Sequence, residues 1–279
     1  MELIQAWVDD LGAVLGDERV LVSDLRMGVF YTAARLSTGH VGVAFTPRDV
    51  SDTVCCPRTA AAAPPAGRVA GQDAWALSRY ALTDVPLRRA VGVAVLNALS
   101  ALAIERHGIP GGRLLPGVDA LAAAAVCAED RVLMIGGFVP FIRALKGRVA
   151  DLWIVDKHPE ALKPDERDLW RDPARIVDLA PTATVVIATG SALIEGGLDG
   201  LLALARGVRC FVLAGPTASP WPPPFFARGV HVLGGIRVRN PDKMLQVVSE
   251  GGSGYFFEDF SEKVCVVRAD AERGEMAKA

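Results

Sequence analysis

Arg131-Val-Leu-Met-Ile-Gly-Gly-Phe-Val-Pro-Phe-Ile-Arg-Ala-Leu-Lys-Gly-Arg-Val-Ala-Asp-Leu-Trp-Ile-Val-Asp156 is the stretch whose reading decides the fold. A charged pair, Asp130-Arg131, precedes four apolar residues at 132–135, and that run predicts a fully buried strand. Gly136-Gly137 ends it. Pro140 suits the first turn of a helix, where its missing N–H would have no partner in any case. Phe141, Ile142 and Leu145 give that helix an apolar side, and Gly147 stops it. Leu152-Trp153-Ile154-Val155 reads as a second strand, closed by Asp156. Strand, glycine turn, helix, strand, acid is the skeleton of a dinucleotide-type βαβ unit.

Toward the C-terminus the alternation continues. A polar loop runs to about Asp172, and Ile176-Val177-Asp178 is a short strand candidate. Residues 184–188 are a buried strand ending in Thr189-Gly190-Ser191. A helix over 198–205 stops at Gly207, and a strand over 210–214 ends in Gly215-Pro216-Thr217. After a Pro-rich segment at 219–226, residues 230–233 read as a strand ending in Gly234-Gly235. A helix over 241–248 and a last strand over 264–268 complete the series, and the polar tail is expected to be disordered. This alternation predicts a mostly parallel, doubly wound sheet.

Toward the N-terminus, Leu3, Ile4, Trp7, Val8, Leu11 and Leu15 fall at helical spacing, with Gly16 as the stop. Residues 20–25, 29–36 and 41–46 read as strands of a small antiparallel meander, turning at Ser37-Thr38-Gly39-His40. Residues 47–71 are loop-like, and whether they form an ordered lid is open. Residues 72–80 suit a short helix. Thr83 or Asp84 is placed to cap the next one, with Pro86 in its first turn and its end near His107. Its middle is small and apolar, through Ala90, Gly92, Ala94, Ala98 and Ala101, which lets another backbone come close. Asn97 interrupts it. A buried amide must be hydrogen-bonded, so Asn97 either anchors the helix or points into a cleft. Residues 109–118, rich in Pro and Gly, form the expected domain boundary. The expected division is an α+β domain over 1–112 and an α/β domain over 113–279.

The chain has 279 residues, enough for two domains, and 51% of them are hydrophobic. A net charge of −2 offers no field for nucleic acid or anionic membrane. Five cysteines, an odd count, do not suggest a disulfide framework, and residues 1–7 lack the features of a signal peptide. Residues 91–104 are too short for a membrane span and contain Asn97, so a core helix is expected. A cytoplasmic protein with reduced cysteines follows as the expectation.

In doubly wound sheets, ligands sit outside the carboxyl ends of the strands. Gly136-Gly137, Phe138, Asp156, Thr189-Gly190-Ser191, Gly215-Pro216-Thr217 and Gly234-Gly235 collect there. Glycines let a ligand approach backbone N–H groups, and Thr and Ser add hydroxyl donors. Asp156 falls where a ribose-binding acid would sit, about 20 residues past the first glycine. Each motif also has a plain reading as a tight strand–helix turn. The dinucleotide fingerprint is imperfect, because Gly136-Gly137-Phe138 is not G-x-G and Phe141 takes the place of the third glycine. Adenosyl compounds, another nucleotide or no nucleotide stay open. Glu195 suits a base, a metal ligand or a solvated helix-start acid. Cys55-Cys56 are adjacent and point apart on an extended chain. With no C-x-x-C and scattered histidines they make a poor zinc site.

The strings Gly136-x-Phe138, Ile154-Val-Asp156-x-x-Pro159, Thr189-Gly-Ser191, Gly215-Pro216-Thr217 and Gly234-Gly235 resemble the domain named "putative heavy-metal chelation", DUF364. Gly92-x-Ala94-x-x-Asn97-Ala98 resembles its usual N-terminal companion, DUF4213. The resemblance covers nearly the whole chain in order. It implies an enolase N-terminal-like α+β domain packed on a Rossmann-like domain, with a site between them. It also implies a heavy-metal role. One expected function is a metal-homeostasis protein that binds a metal or a metal-chelating small molecule. The alternative is an enzyme that uses a nucleotide or S-adenosyl cofactor to make or modify such a molecule. The expected partner is the small molecule or metal, with no nucleic acid and no membrane, and a homodimer is left open.

Overall fold

The computed structural model describes residues 2–16, 18–48 and 64–269. Cys55-Cys56, most of the 47–71 loop, with it the question of an ordered lid, and the tail from residue 270 lie outside the described residues. The chain opens with α1 (Glu2–Leu15), which buries the six apolar residues that its spacing predicts. β1 (Val22–Met27), β2 (Tyr31–Leu36) and β3 (Val41–Phe45) form the expected antiparallel meander. α2 (Ala74–Ser78) starts at Asp73, whose carboxylate accepts the Ala76 N–H. α3 (Pro86–His107) follows. Its N-cap is Val85, which makes no side-chain bond, so neither Thr83 nor Asp84 caps it as expected. Pro86, already preset for a first turn, starts the helix without them.

The second half runs β4 (Gly112–Pro116), α4 (Ala120–Ala123), β5 (Arg131–Ile135), α5 (Val139–Leu145), β6 (Asp151–Val155), β7 (Trp170–Arg171), α6 (Ile176–Leu179), β8 (Val185–Thr189), α7 (Ala192–Glu195), α8 (Leu198–Leu204), β9 (Cys210–Ala214), α9 (Pro223–Ala227), β10 (Val232–Val238), α10 (Pro241–Ser249) and β11 (Ser261–Arg268). Eight of these strands make one sheet in the order β4-β11-β10-β9-β8-β5-β6-β7. From β10 to β7 all neighbours are parallel, while β11 runs antiparallel to both β10 and β4.

Three local readings are corrected. Ile176-Val177-Asp178 is helical, not a strand; three residues carry too little periodicity to separate the two. The Pro/Gly-rich stretch at 109–118, expected as a domain boundary without a strand, contains β4, an edge strand where Pro116 can lack a ladder donor. Gly234-Gly235 does not end its strand but lies within β10. A β-carbon on Gly234 would overlap Ala120, and one on Gly235 would overlap Ser219 and the Ala218 carbonyl, so the pair admits close neighbours on both faces.

Strand alternation sorts the sheet's residues onto two covered faces. Leu133, Val186, Phe211, Leu213 and Leu233 share a core with α1 and α3. Val132, Met134, Ile187, Val212 and Val232 pack with Phe141, Ile142 and Leu145 of α5. The small sheet contributes Ala34, Leu36 and Ala44 to the first core, and its Ala33, Val41 and Val43 pack on Met244, Leu245 and Val248 of α10. The small sheet and the large sheet thus share one continuous apolar core with α1 and α3. Polar bonds pin the same seam: the hydroxyl of Ser100 on α3 accepts from the indole of Trp7 at 3.0 Å and from the Trp221 N–H at 2.7 Å. Arg89 of α3 donates to the Ile194 carbonyl at 2.8 Å.

Asp130, just before β5, is a buried carboxylate. Burial would raise its pKa, but donors from the Cys127 N–H, the Arg209 guanidinium, the Thr184 hydroxyl and the Cys127 thiol outweigh that and hold it low. A carboxylate pKa depressed on folding contributes stability above its unfolded value, and that contribution is lost as pH falls through the folded value. Asp130→Asn is therefore expected to be less stable than the parent near neutral pH, with the gap closing in acid. Urea unfolding at neutral pH and below the ordinary carboxylate range checks this; a gap independent of pH would contradict it.

Candidate functional site

The chain order of the large sheet reverses at β5, which has β6 on one side and β8 on the other. Open α/β sheets place ligands at such a point. The predicted turns gather there. Gly136 lies at φ 93°, which only glycine adopts without strain, and a β-carbon on it would sit 3.0 Å from the Thr189 methyl. A β-carbon on Gly215 would lie 3.9 Å from the Phe138 ring, and one on Gly190 would lie 2.9 Å from Thr217 Cβ. Phe138 stacks on Phe141 with ring centres 5.2 Å apart, so an aromatic pair fills the place of the third glycine.

Open backbone donors, the reason for expecting an anion at these turns, are fewer than anticipated. The Gly136 N–H donates to the Val155 carbonyl at 2.8 Å, and the Gly137 N–H to Asp156 Oδ2 at 2.8 Å. Gly190 donates to Ala214, Gly215 to Gly234, and Ser191 to the Thr189 hydroxyl. These groups tie neighbouring turns to one another. Asp156 also accepts the His158 N–H at 2.9 Å. Glu195 pairs with Lys157 at 3.0 Å, a half-exposed link across the strand ends. Pro216 packs near Gly254 and Tyr31, beside this row rather than inside it.

Asn97 meets a different part of the set. Its Nδ2 donates to the Val43 carbonyl at 2.8 Å and to the Thr217 carbonyl at 2.9 Å, while the Thr217 hydroxyl accepts the Phe45 N–H at 2.9 Å. It therefore reaches the Gly215–Thr217 turn, and the bonds from its amide do not extend to the Gly136–Phe138 or Thr189–Ser191 turns. Asn97 also lines a cleft of about 570 Å³ between the small sheet with α3 on one side and the large sheet on the other. That volume suits a small organic molecule. One wall is the β2–β3 turn, β3 and α3, which contribute Val41, Val43, Ala101 and Ile104. The other is Leu233 and Ile236 of β10, Val264 and Val266 of β11, and Leu114 of β4. His40 lies between Thr38 and Glu105, with ring nitrogens 3.0 Å and 3.1 Å from their oxygens, and Glu105 and Arg237 are exposed at the rim. Apart from Asn97 and Gly235, none of the predicted site residues lines this cleft. His40 was legible only as a turn residue, and nothing local in the sequence joins residues 38–43 to residues 233–238.

The described residues do not suit a tightly held heavy metal. Among the described residues no group of three or more His, Cys, Asp or Glu side chains is placed to hold a metal ion. No disulfide joins Cys127, Cys210 or Cys265. Cys265 donates its proton to the Val118 carbonyl, and burial, with Asp119 adding to it, pushes its pKa up to about 12. Cys127 is likewise held protonated, first by its bond to Asp130. Metal-binding cysteines need the opposite setting.

A family model, DUF364, with the description "Putative heavy-metal chelation", matches residues 119–267. The chain belongs to the DUF364 family. A second model with the same description, DUF4213, matches residues 8–100. A solved DUF364 protein of unknown function from Pyrococcus horikoshii has a TM-score of 0.74 at 20% identity, covering 94% of this chain and 98% of that one. Another, from Desulfitobacterium hafniense, has a TM-score of 0.73 at 17% identity, covering 94% and 97%. At these identities the likeness shows a shared fold. An uncharacterized protein of Methanocaldococcus jannaschii is 24% identical over 180 residues, which is 63% of this chain and 65% of that protein, just short of two thirds. In this DUF364 member the cleft lies between the two matched regions. Val41 and Val43 come from the DUF4213 part, and Leu233 and Val264 from the DUF364 part.

Proposed function

We propose that this protein binds a small metal-chelating molecule in the cleft between its domains, and serves metal homeostasis through that molecule rather than by ligating the ion itself. The observation that carries this reading is the cleft, apolar along its walls with Asn97 buried among them. The family description supports the link to metals, and the missing ligand cluster among the described residues supports an organic carrier. In the same reading the N-terminal domain is enolase N-terminal-like and the C-terminal one Rossmann-like. The three-stranded meander and the parallel run from β10 to β7 support this.

One observation favours a second reading, an enzyme that makes or modifies such a molecule with a nucleotide or adenosyl cofactor. The Gly136, Thr189 and Asp156 turns converge where the strand order reverses. Two variants separate the readings. Ala101→Phe fills the cleft from α3. Gly137→Val adds bulk at the strand ends, where a β-carbon meets only Asp156 Oδ2 at 3.4 Å and Leu162 at 3.8 Å. Calorimetry with chelators, nucleotides and adenosyl compounds is expected to show binding lost in Ala101→Phe and kept in Gly137→Val. The reverse pattern would transfer the site to the strand ends.

A further inference from the structure

We propose that the cleft also carries an acyl-transfer activity toward small apolar esters, with Thr38 as nucleophile, His40 as its base and Glu105 orienting the imidazole. The proposal rests on the cleft of the preceding reading, but not on the bound molecule being a metal chelator. Three side chains that line the cleft form a chain of hydrogen bonds at its mouth. Thr38 Oγ1 lies 3.0 Å from His40 Nδ1, and His40 Nε2 lies 3.1 Å from Glu105 Oε2. The tautomer follows from the two neighbours. A carboxylate only accepts, so Nε2 carries the ring proton. Nδ1 then holds a lone pair, and the Thr38 hydroxyl donates to it. Hydroxyl, neutral imidazole and carboxylate in this order is the arrangement that activates an alcohol for attack on a carbonyl.

The fold holds these groups in place. The Leu36 N–H donates to the His40 carbonyl at 2.8 Å and the Gly39 N–H to the Leu36 carbonyl at 2.9 Å, which fixes the turn that carries Thr38 and His40. Glu105 comes from the last turn of α3, against which β3 packs closely at Gly42. The His40 side chain is only 15% exposed while Thr38 is exposed, so the base is sheltered and the nucleophile open. Ala101, Ile104, Leu114 and Val264 offer an apolar surface to the acyl group. In the first step the Thr38 proton passes to Nδ1 and Oγ1 adds to the ester carbonyl carbon. The bond to the alcohol oxygen then breaks, and His40 returns the proton to that oxygen. Water next gives a proton to Nδ1 and adds to the acyl carbon. The bond to Oγ1 breaks, the proton goes back to Oγ1, and a carboxylic acid leaves. The Gly39 N–H is already used and stabilises no oxyanion, so the substrate must carry a readily departing alcohol such as a phenol.

The test is hydrolysis of 4-nitrophenyl butyrate by the full chain near pH 8, with urea unfolding to show that each variant is folded. The parent is expected to exceed the buffer rate. Thr38→Val and His40→Gln are each expected to lower kcat by about 100-fold or more, and Thr38→Ser to retain hydrolysis. Glu105, a positioning residue, is 72% exposed at its side chain, so Glu105→Gln is expected to cost only about tenfold in kcat with KM unchanged. His158, whose ring pairs with Glu160 in the open, is the control for surface imidazoles, and His158→Gln is expected to change nothing. Ala101→Phe is expected to abolish hydrolysis by filling the cleft. A parent no faster than buffer, or Thr38→Val as fast as the parent, would overturn the proposal. If Ala101→Phe abolishes hydrolysis while Thr38→Val and His40→Gln do not, the triad falls and the cleft reading stands. Hydrolysis indifferent to Ala101→Phe would place the chemistry outside the cleft and overturn the proposal, leaving the cleft reading to its own calorimetry.

Discussion

Replacing Trp221 by alanine is expected to destabilise the protein by about 4 kcal/mol or more. The ring is fully buried in the core that the two sheets share. Its indole N–H donates to Asp10 on α1 at 2.6 Å, so truncation opens a cavity and also strips a half-buried carboxylate of a donor. Trp221→Phe keeps most of the packing and loses the bond, and should fall at about 1–2 kcal/mol. Urea unfolding with both midpoint and slope recorded distinguishes the two variants. A loss in the alanine variant no larger than in the phenylalanine one would mean that the core around Trp221 is loosely packed.

Gly42→Val is expected to do comparable damage by the opposite route, about 3 kcal/mol or more, and to close the cleft. A β-carbon at Gly42 would overlap the Ala94 carbonyl oxygen and the Ala98 nitrogen of α3. Backbone atoms in a buried helix cannot swing aside as a long side chain does, so β3 and α3 must separate. The carbonyl of neighbouring Val43 would then pull away from Asn97. Gly12 supplies the control. It lies within α1 with nothing near its absent β-carbon, and Gly12→Ala is expected to stabilise by about 0.5–1 kcal/mol. Thermal unfolding of both variants reads the contrast. Similar melting temperatures for Gly42→Val and the parent would show that the strand and helix are not in contact in solution.

The sequence announced some of this architecture and hid the rest for identifiable reasons. The unit from Arg131 to Val155 was legible because both its strands are continuous apolar runs with a glycine turn and a proline-started helix between them. β4 was not, since Gly112 and Pro116 suggest a linker and only pairing with β11, some 150 residues later, makes a strand of them. Asn97 was legible as a polar residue in need of partners, though which turn would supply one depends on tertiary packing. The cleft was not legible at all. Its walls come from β3, α3, β4, β10 and β11, and most of their contributions are ordinary aliphatic residues with no motif. The strand-end turns were found by their glycines, but whether a glycine N–H is open or used is decided by neighbouring strands, as Val155 and Ala214 show.

The shared core also sets a timetable for synthesis. α3 is 22 residues long and by length and composition would pass for a membrane span, yet in the finished protein most of it is buried. The residues that share its core include Leu213 and Leu233, which leave the ribosome more than a hundred residues after α3 does. At typical elongation rates that is a delay on the order of ten seconds. For that interval the nascent chain carries an apolar helix whose cover is incomplete. A chaperone, or a membrane-insertion machine sorting chains by hydrophobicity, would meet this helix uncovered during that interval.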